Sequence, residues 1–380
     1  MGTREPESAV IAERTSVAIF LSLSGRGGVE RMVLTLADAM AAQGHAVDVL
    51  VARARADIEV VPLAHARLRK LRANHTLASV PELVAYLRAN RPAALLAAKD
   101  RAGRAAALAN QLAGRPTRVF VRLGTHLTAA LADRSRWTRW ARLAPMPVWY
   151  RLVDGVIAVS EGVREDAERT TRLPAQRIAT APNPVIPSDL EARARAPVSH
   201  PWCQQTRAHP LVLGVGRLTA QKDFLTLIQA FAELARRDPR PRLMILGEGQ
   251  DRPHLERAVA SHGLAERVAL PGSVADPFPY LARAQLFVLS SRWEGSPNVL
   301  TEALAVGTPA VSTDCPSGPR QLLADGRIGR LVPVGAPEAL AAAMAQTLAA
   351  PVRSETLRQA VAEYTVANSC ARYLALMGLS

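Results

Sequence analysis

The 380-residue chain is 49% hydrophobic and carries a formal net charge of +14. This apolar content is enough for two cores, because a domain usually has about 100–200 residues. The longest apolar runs are much shorter than the roughly 20 residues of a membrane-spanning helix, which excludes a predicted span. Residues 1–15 lack the apolar centre of a secretory signal, so we expect a cytoplasmic protein.

The positive charge indicates attraction to anions, whether phosphorylated ligands, anionic lipid or nucleic acid. Charge alone does not choose among them. The three cysteines, Cys203, Cys315 and Cys370, match neither a disulfide framework nor the spacing of a zinc site. We expect reduced, structural thiols.

The first half of the chain alternates short apolar runs with stretches of helical period. It opens with a strand at Val17–Leu23, a glycine-rich turn at Ser24–Gly28 and a helix from Val29 to about Ala42. The pattern continues with predicted strands at Val47–Val51, Ala94–Ala98, Arg118–Arg122 and Gly155–Ser160, and helices at about Thr76–Asn90, Arg101–Ala113 and Glu161–Thr171. Such alternation predicts a doubly wound α/β domain with a parallel sheet.

The segment Ala181–Pro187 contains three prolines, which restrict the backbone to extended conformations and mark a linker. Beyond it the same alternation restarts, with strands at Leu211–Val215, Arg242–Leu246, near Val268–Leu270, at Gln285–Ser290 and at Ala310–Thr313, and a helix at Asp223–Arg237. We therefore predict two Rossmann-like doubly wound domains facing across a cleft, residues 1–185 and 186–380. The sequence does not decide whether the last helix packs on the second domain or crosses back to the first.

The segment 294–302 places two glutamates around a Ser-Pro helix start. Ser296 suits the N-cap and Pro297 the first helical position. Unpaired amide groups at such a helix end bind phosphate, and here they would belong to Asn298, Val299 and Leu300. Glu294 precedes this site, and Glu302 within the helix can accept hydrogen bonds from sugar and ribose hydroxyls. The alternative is an ordinary capped surface helix with two solvated glutamates.

A second phosphate signal follows the predicted strand 211–215, where Gly216 and Arg217 come next and Lys222 lies five residues after Arg217. Gly216 lets the backbone approach a ligand closely. The two cations can neutralise the charge that grows on a leaving diphosphate. The alternative is a strand-to-helix turn with surface charges.

Two further loops follow predicted strands of the second half, at residues 247–249 and 271–274. Ligands of open α/β sheets bind at the carboxyl ends of the strands. Gly249, Ser273 and Val274 are therefore candidate contacts with the nucleotide. Purely structural turns would have the same composition.

Two residue pairs resemble the retaining glycosyltransferase family 4 of the GT-B fold. They are Arg217 with Lys222, and Glu294 with Glu302, which are separated by seven residues. The resemblance extends over most of the chain, through the segments Gly27-Gly28-Val29-Glu30, 154–160 and Asn183-Pro184-Val185. The tail 312–320 is similar to the subset that adds N-acetylhexosamine or galactose during surface-glycan assembly, although a proline-rich turn would look the same.

The resemblance implies roles for these residues. Gly27, Gly28 and Glu30 belong to the loop that approaches the donor phosphate and the acceptor. The basic pair binds the diphosphate, Glu294 contacts the donor sugar, and Glu302 contacts the ribose. The implied activity is transfer of a hexose or N-acetylhexosamine from a nucleotide sugar, with UDP favoured, to a glycan or lipid-linked acceptor of cell-surface polysaccharide or lipopolysaccharide.

Family resemblance also implies retention of anomeric configuration, in which the leaving phosphate oxygen takes the acceptor proton and no protein nucleophile is needed. The protein then contributes orientation and charge stabilisation, and the candidate catalytic residues are Glu294, Arg217, Lys222 and His126. His126 follows a predicted strand and is similar to a family histidine near the donor sugar; a loop histidine without a role is the alternative. No Asp-x-Asp occurs, so we expect metal independence and no cofactor.

Residues 134–151 interleave arginines with Trp137, Trp140, Trp149 and Tyr150. This composition favours contact with an anionic membrane surface, and inward packing of the tryptophans is the alternative. Lys99 and Arg101, at another strand end, are either contacts for an acceptor phosphate or solvated charges.

Two rival functions stay open. A sugar-nucleotide epimerase or a phosphorylase of the same fold would keep the donor site. A non-catalytic nucleic-acid-binding protein would account for the charge, but aromatic residues are only 4% of the chain and no nucleic-acid motif appears, so no nucleic-acid partner is expected.

Overall fold

The computed structural model describes residues 15–22, 28–52 and 63–379. The first half forms a parallel seven-stranded sheet in the order β3-β2-β1-β4-β5-β6-β7. Its strands are β1 Ser16–Ser22, β2 Ala46–Ala52, β3 Arg67–Lys70, β4 Ala94–Ala98, β5 Arg118–Leu123, β6 Gly155–Ala158 and β7 Ile178–Thr180. The central strands are buried on both faces, which explains their continuous apolar sequences.

Helices cover both faces of this sheet. They are α1 Gly28–Ala42, α2 Val80–Asn90, α3 Asp100–Leu112, α4 Leu127–Ala130, α5 Arg136–Leu143, α6 Met146–Tyr150 and α7 Glu161–Thr171. Helices α2, α3, α6 and α7 pack on one face of the sheet, and α1 packs on the other. Two apolar layers therefore hold the strand ends of the first domain in fixed positions.

The second half forms a parallel six-stranded sheet in the order β10-β9-β8-β11-β12-β13. Its strands are β8 Leu211–Val215, β9 Arg242–Leu246, β10 Val268–Gly272, β11 Leu286–Leu289, β12 Ala310–Thr313 and β13 Arg330–Val332. The remaining helices are α8 Leu190–Arg195, α9 Phe224–Arg237, α10 Arg252–Ser261, α11 Phe278–Leu281, α12 Asn298–Val306, α13 Pro319–Leu322, α14 Pro337–Ala349, α15 Ser354–Ala360 and α16 Val366–Leu376. The prediction of two Rossmann-like sheets is confirmed.

The last helix, α16, returns to the first domain. Its side chains Cys370 and Tyr373, and that of Met377 just after the helix, are fully buried in the first core, which also contains α1. The chain enters this helix beside the linker, where Ile186 and Thr365 form a parallel β-bridge. The two domains are thus joined by two adjacent crossings, while the predicted boundary at residues 185 and 186 stays a prediction.

In both sheets the strand order reverses between two neighbouring strands, β1 and β4 in the first and β8 and β11 in the second. The loops after two such strands run in opposite directions and leave a crevice at the carboxyl ends. The segments after β8 and β11 contain the predicted phosphate signals, so the topology places them at the reversal point of the second sheet.

Candidate functional site

The two predicted diphosphate cations lie together at the carboxyl end of β8. The aliphatic part of Lys222 covers Gly216 so closely that a methyl group on this glycine would lie 3.2 Å from the lysine chain. Arg217 is exposed beside it, and its side chain bonds to no residue in the described part of the chain. The site therefore offers one cation that is fixed in place and one that is unpartnered.

Lys222 and Glu294 form an ion pair at the reversal point of the second sheet. Lys222 Nζ lies 2.5 Å from Glu294 Oε1, and Ser291 Oγ donates to the same oxygen at 2.6 Å. The side chains of the lysine and the glutamate are only 16% and 7% exposed. Glu294 is therefore buried, which excludes a solvated surface glutamate at this position.

Glu302 is also buried, and its partner comes from the other domain. Arg31 Nη2, on α1, donates to Glu302 Oε1 at 2.5 Å. Burial raises the pKa of the Glu302 carboxyl above its usual range, although Arg31 lowers it. One carboxylate oxygen of Glu302, the predicted ribose contact, is thus already bonded to Arg31, a residue for which the sequence predicted no role.

Helix α12 begins one residue later than the sequence predicted, which corrects the N-cap assignment. Pro297, not Ser296, is the N-cap, because its ψ of 94° is not helical. The amide of Leu300 donates to the Pro297 carbonyl at 3.0 Å, and the Leu300 side chain is fully buried, so Leu300 is wrong as a phosphate contact. The amides of Asn298 and Val299 donate to no described residue and remain available to an anion.

The first turn of α1 faces the first turn of α12 across the cleft. A methyl group on Gly28 would lie 4.0 Å from Asn298 Nδ2. Both turns present the positive ends of helix dipoles, which favour an anion between them. Gly27, the other predicted loop glycine, lies outside the described residues.

A hydrogen-bonded relay supports this helix start from the first domain. Arg122 Nη2 donates to Asn183 Oδ1 at 2.8 Å, and Asn183 Nδ2 donates to Asn298 Oδ1 at 2.7 Å. Arg122 is 1% exposed, its Nε and Nη1 have no hydrogen-bond partner among the described residues, and burial lowers its pKa. The relay fixes the Asn298 side chain and adds a buried positive charge behind the cleft.

A solved structure shares the whole fold. HepE of Anabaena, in a complex with UDP and glucose, superposes with a TM-score of 0.77 over 96% of this chain and 100% of its own, at 17% identity. An identity this low shows the fold alone.

Two family models match the chain, one on each domain. The model described as Glycosyltransferase Family 4 matches residues 26–189, and the model described as Glycosyl transferases group 1 matches residues 209–350. Both domains of the chain thus match glycosyltransferase families. Both matched ranges contribute residues to the cleft described above.

Two curated relatives of this glycosyltransferase match shorter segments. The lipopolysaccharide core biosynthesis glycosyltransferase LpsE of Rhizobium meliloti is 38% identical over 154 residues, which are 40% of this chain and 43% of the relative. A Campylobacter jejuni transferase, named for adding N-acetylgalactosamine to a diphospho-undecaprenol acceptor, is 39% identical over 123 residues, 32% of this chain and 33% of its own. The chain thus spans less than half the length of these relatives.

His126 of the glycosyltransferase lies beside the Lys222–Glu294 pair. Its backbone amide approaches the Glu294 carbonyl at 3.4 Å, and its Nδ1 accepts a hydrogen bond from the Ala129 amide as the N-cap of α4. Asp166 Oδ2 lies 3.5 Å from the same nitrogen. Because Nδ1 accepts, the neutral ring carries its proton on Nε2, where it is a donor.

Ser160, Gly295 and Ser317 clamp the two domains of the glycosyltransferase together. Ser160 Oγ donates to the Gly295 carbonyl at 2.7 Å and lies 2.6 Å from Ser317 Oγ, which bonds to the same carbonyl at 2.8 Å. A methyl group on Gly295 would lie 2.2 Å from the Gly124 carbonyl oxygen. The sequence analysis predicted no contact between the domains at these residues.

Three predicted nucleotide contacts differ in their surroundings. Gly249 packs on backbone, since a methyl group there would lie 2.1 Å from the Leu218 carbonyl oxygen. This contact accounts for the glycine without a ligand. Ser273 is exposed, and Val274 packs partly against the second core. Their contact with a nucleotide stays a prediction.

Lys99 and Glu30 meet at the reversal point of the first sheet. Lys99 Nζ donates to Glu30 Oε1 at 2.8 Å, and Glu30 is 6% exposed. Lys99 therefore has a defined partner, while its side chain is 39% exposed. Arg101 is exposed at the start of α3, and an acceptor phosphate at either residue stays a prediction.

The arginine-tryptophan segment divides into an outer and an inner part. Trp137 and Trp140 on α5 are 79% and 64% exposed, so the inward-packing alternative is wrong for both. Trp149 and Tyr150 on α6 pack on the first core. Among the described residues, no helix has the length and apolar character needed to cross a bilayer.

Cys203, Cys315 and Cys370 are buried free thiols, and burial raises the pKa of Cys315 to about 12. Such thiols are poor nucleophiles, which agrees with a structural role. Across the described ranges, no cluster of three or more histidine, cysteine, aspartate or glutamate side chains could hold a metal ion.

Proposed function

We propose that this glycosyltransferase moves a hexose or N-acetylhexosamine from a nucleotide diphosphate sugar, with UDP as the nucleotide, to a glycan or lipid-linked acceptor. The product belongs to a cell-surface polysaccharide or lipopolysaccharide. The names of LpsE and of the Campylobacter relative support this acceptor class, and the HepE complex supports UDP.

The observation that carries the proposal is the convergence of positive groups in the cleft. The first turns of α1 and α12 face each other, and Lys222 and Arg217 lie at the adjacent end of β8. A diphosphate carries two negative charges, and this arrangement offers amide groups and cations within one crevice. Arg217 has no protein partner in the described chain to compete with a ligand.

We propose retention of anomeric configuration by a same-face displacement. The glycosidic bond to the phosphate oxygen breaks, the acceptor oxygen bonds to the anomeric carbon, and the acceptor proton goes to the leaving phosphate. Lys222 and Arg217 stabilise the charge on the leaving diphosphate. Glu294 and the Nε2–H of His126 orient the donor sugar, and Glu302 Oε2 binds the ribose.

The reaction is proposed to need no metal ion. Full activity after exhaustive chelation would agree with this, whereas strict dependence on Mn²⁺ or Mg²⁺ would contradict it. With a lipid-linked acceptor, the enzyme works in the cytoplasm at the inner face of the cell membrane.

The test of the donor is a thermal-shift screen of the purified chain against UDP, GDP and ADP. A ligand at about 100 times its dissociation constant raises the free energy of unfolding by about 2.7 kcal/mol. UDP should give the largest increase. A preference for another base would overturn the choice of UDP, and consumption of donor without any acceptor would favour an epimerase.

A further inference from the structure

A cavity of about 840 Å³ lies on the first domain, on the outer side of α5 and α7. Four arginines line it, two from each helix or its end: Arg136, Arg139, Arg169 and Arg172. The ring of Trp140 forms another part of the wall. None of these residues belongs to the transfer cleft, and the proposed reaction does not use them.

The arginines of this cavity are not neutralised by the protein. Within the described ranges, the side chains of Arg136, Arg139 and Arg172 form no hydrogen bond or ion pair, and no carboxylate lines the cavity. Arg169 has only a 3.8 Å contact with Asp166. Four guanidinium groups around one open cavity therefore create a local site for an anion.

Helix dipoles explain only half of this charge. Arg169 and Arg172 lie at the carboxyl end of α7, where positive side chains are favourable. Arg136 and Arg139 lie in and just after the first turn of α5, where no acidic residue accompanies them and a positive side chain is unfavourable. A bound anion would offset this unfavourable placement.

The surroundings of the cavity indicate the source of the anion. Trp137 and Trp140 are largely exposed, with ring centroids 6.0 Å apart, and Val148 on the neighbouring helix is 64% exposed. Exposed tryptophans beside arginines are typical of the membrane interface, where the rings enter the headgroup layer and the guanidinium groups bind phosphate.

We propose that the four-arginine cavity binds the phosphate of an anionic phospholipid headgroup, with Trp137 and Trp140 inserted into the same leaflet. This site would hold the first domain on an anionic membrane independently of the transfer cleft. Each basic residue near such a surface strengthens binding by about fivefold, so the loss of two should weaken it by about 25-fold.

The test is sedimentation of the full chain with vesicles of equal parts phosphatidylglycerol and phosphatidylcholine, and with vesicles of phosphatidylcholine alone. The variant Arg136→Gln/Arg139→Gln removes two cavity cations. The variant Arg207→Gln/Arg353→Gln is the matched control, because it removes two exposed, unpartnered arginines of the second domain. An unchanged thermal unfolding midpoint would show that each variant is folded.

We expect wild type and control to bind the anionic vesicles, the cavity variant to lose about 25-fold in affinity, and Trp137→Ser/Trp140→Ser to lose part of its binding. Three results would overturn the proposal. These are equal losses in the cavity variant and the control, equal binding to phosphatidylcholine alone, and binding to single-stranded nucleic acid without binding to vesicles.

Discussion

Arg31 and Glu302 belong to different domains, and their side chains form an ion pair with Nη2 of the arginine 2.5 Å from Oε1 of the glutamate. The pair links the first helix of one sheet to the helix that begins at the proposed phosphate site of the other. Only one carboxylate oxygen is used, because Oε2 accepts no hydrogen bond from the described residues. The ribose of a donor and Arg31 can therefore share this group.

The substitution Glu302→Gln should abolish a pH dependence of donor binding. The carboxylate form accepts ribose hydroxyls, and its pKa is raised above the ordinary value near 4.5 by burial. Binding should be complete above the raised pKa and fall as the pH decreases through it. Titration calorimetry with UDP-glucose, whose diphosphate does not take up a proton in this range, measures the effect. A wild-type affinity that stays constant down to pH 4.5 would contradict the ribose assignment.

Lys222→Met and Arg217→Gln should differ in their effect on stability. Loss of one partner from a buried ion pair costs about 3–5 kcal/mol, so Lys222→Met should lower the thermal midpoint strongly. Arg217 is exposed and unpartnered, so its loss should change stability by no more than about 0.5 kcal/mol.

The double variant Lys222→Met/Glu294→Leu is the control for the buried pair, because it removes both charges. It should be clearly more stable than Lys222→Met alone. Equal midpoints for the two variants would show that an unpaired Glu294 carboxylate costs no stability, which would contradict the expected penalty of breaking this buried pair.

Gly295→Ala should open the two domains without unfolding either. The new methyl group would lie 2.2 Å from the Gly124 carbonyl, which belongs to the other domain. Small-angle scattering should show a larger radius of gyration, and turnover should decrease. Gly249→Ala is the matched control, since its 2.1 Å overlap with Leu218 lies within one domain and should lower stability instead. An unchanged radius for Gly295→Ala would contradict the role of the clamp.

His126→Ala and His126→Asn should differ in stability but not in turnover. Asparagine preserves the N-cap of α4, whereas alanine loses it at a cost of about 1 kcal/mol. Neither side chain places an imidazole Nε2–H in the cleft, so both should lower kcat with little change in donor KM. Wild-type kcat in His126→Asn would show that the histidine is only a cap.

The two-sheet fold could be predicted from the sequence because the central strands are strongly apolar and regularly alternate with helices. The short edge strands β3, β7 and β13 were missed, since Arg67–Lys70 is exposed and polar and Ile178–Thr180 and Arg330–Val332 have only three residues each. The start of α12 was displaced because Pro297 adopts an extended conformation, which local preferences did not specify.

The sequence also identified the residues that lie at the second-domain end of the cleft, because motif spacing fixes their places after β8, after β11 and on α12. It could not identify Arg31, Arg122 or Ser317. Their importance comes from contacts between residues far apart in the chain, such as Arg31 with Glu302, and no local pattern predicts such contacts.

The most direct measurement of the central claim is titration calorimetry of UDP into wild type, Arg217→Gln and Arg207→Gln. One UDP should bind per chain, and loss of a charge-assisted contact of about 1.5–3 kcal/mol should weaken binding in Arg217→Gln by roughly 10-fold to 150-fold. Arg207→Gln, a distant exposed arginine, should bind like wild type. Absence of binding by wild type, or equal affinity in all three proteins, would contradict a diphosphate site at the end of β8.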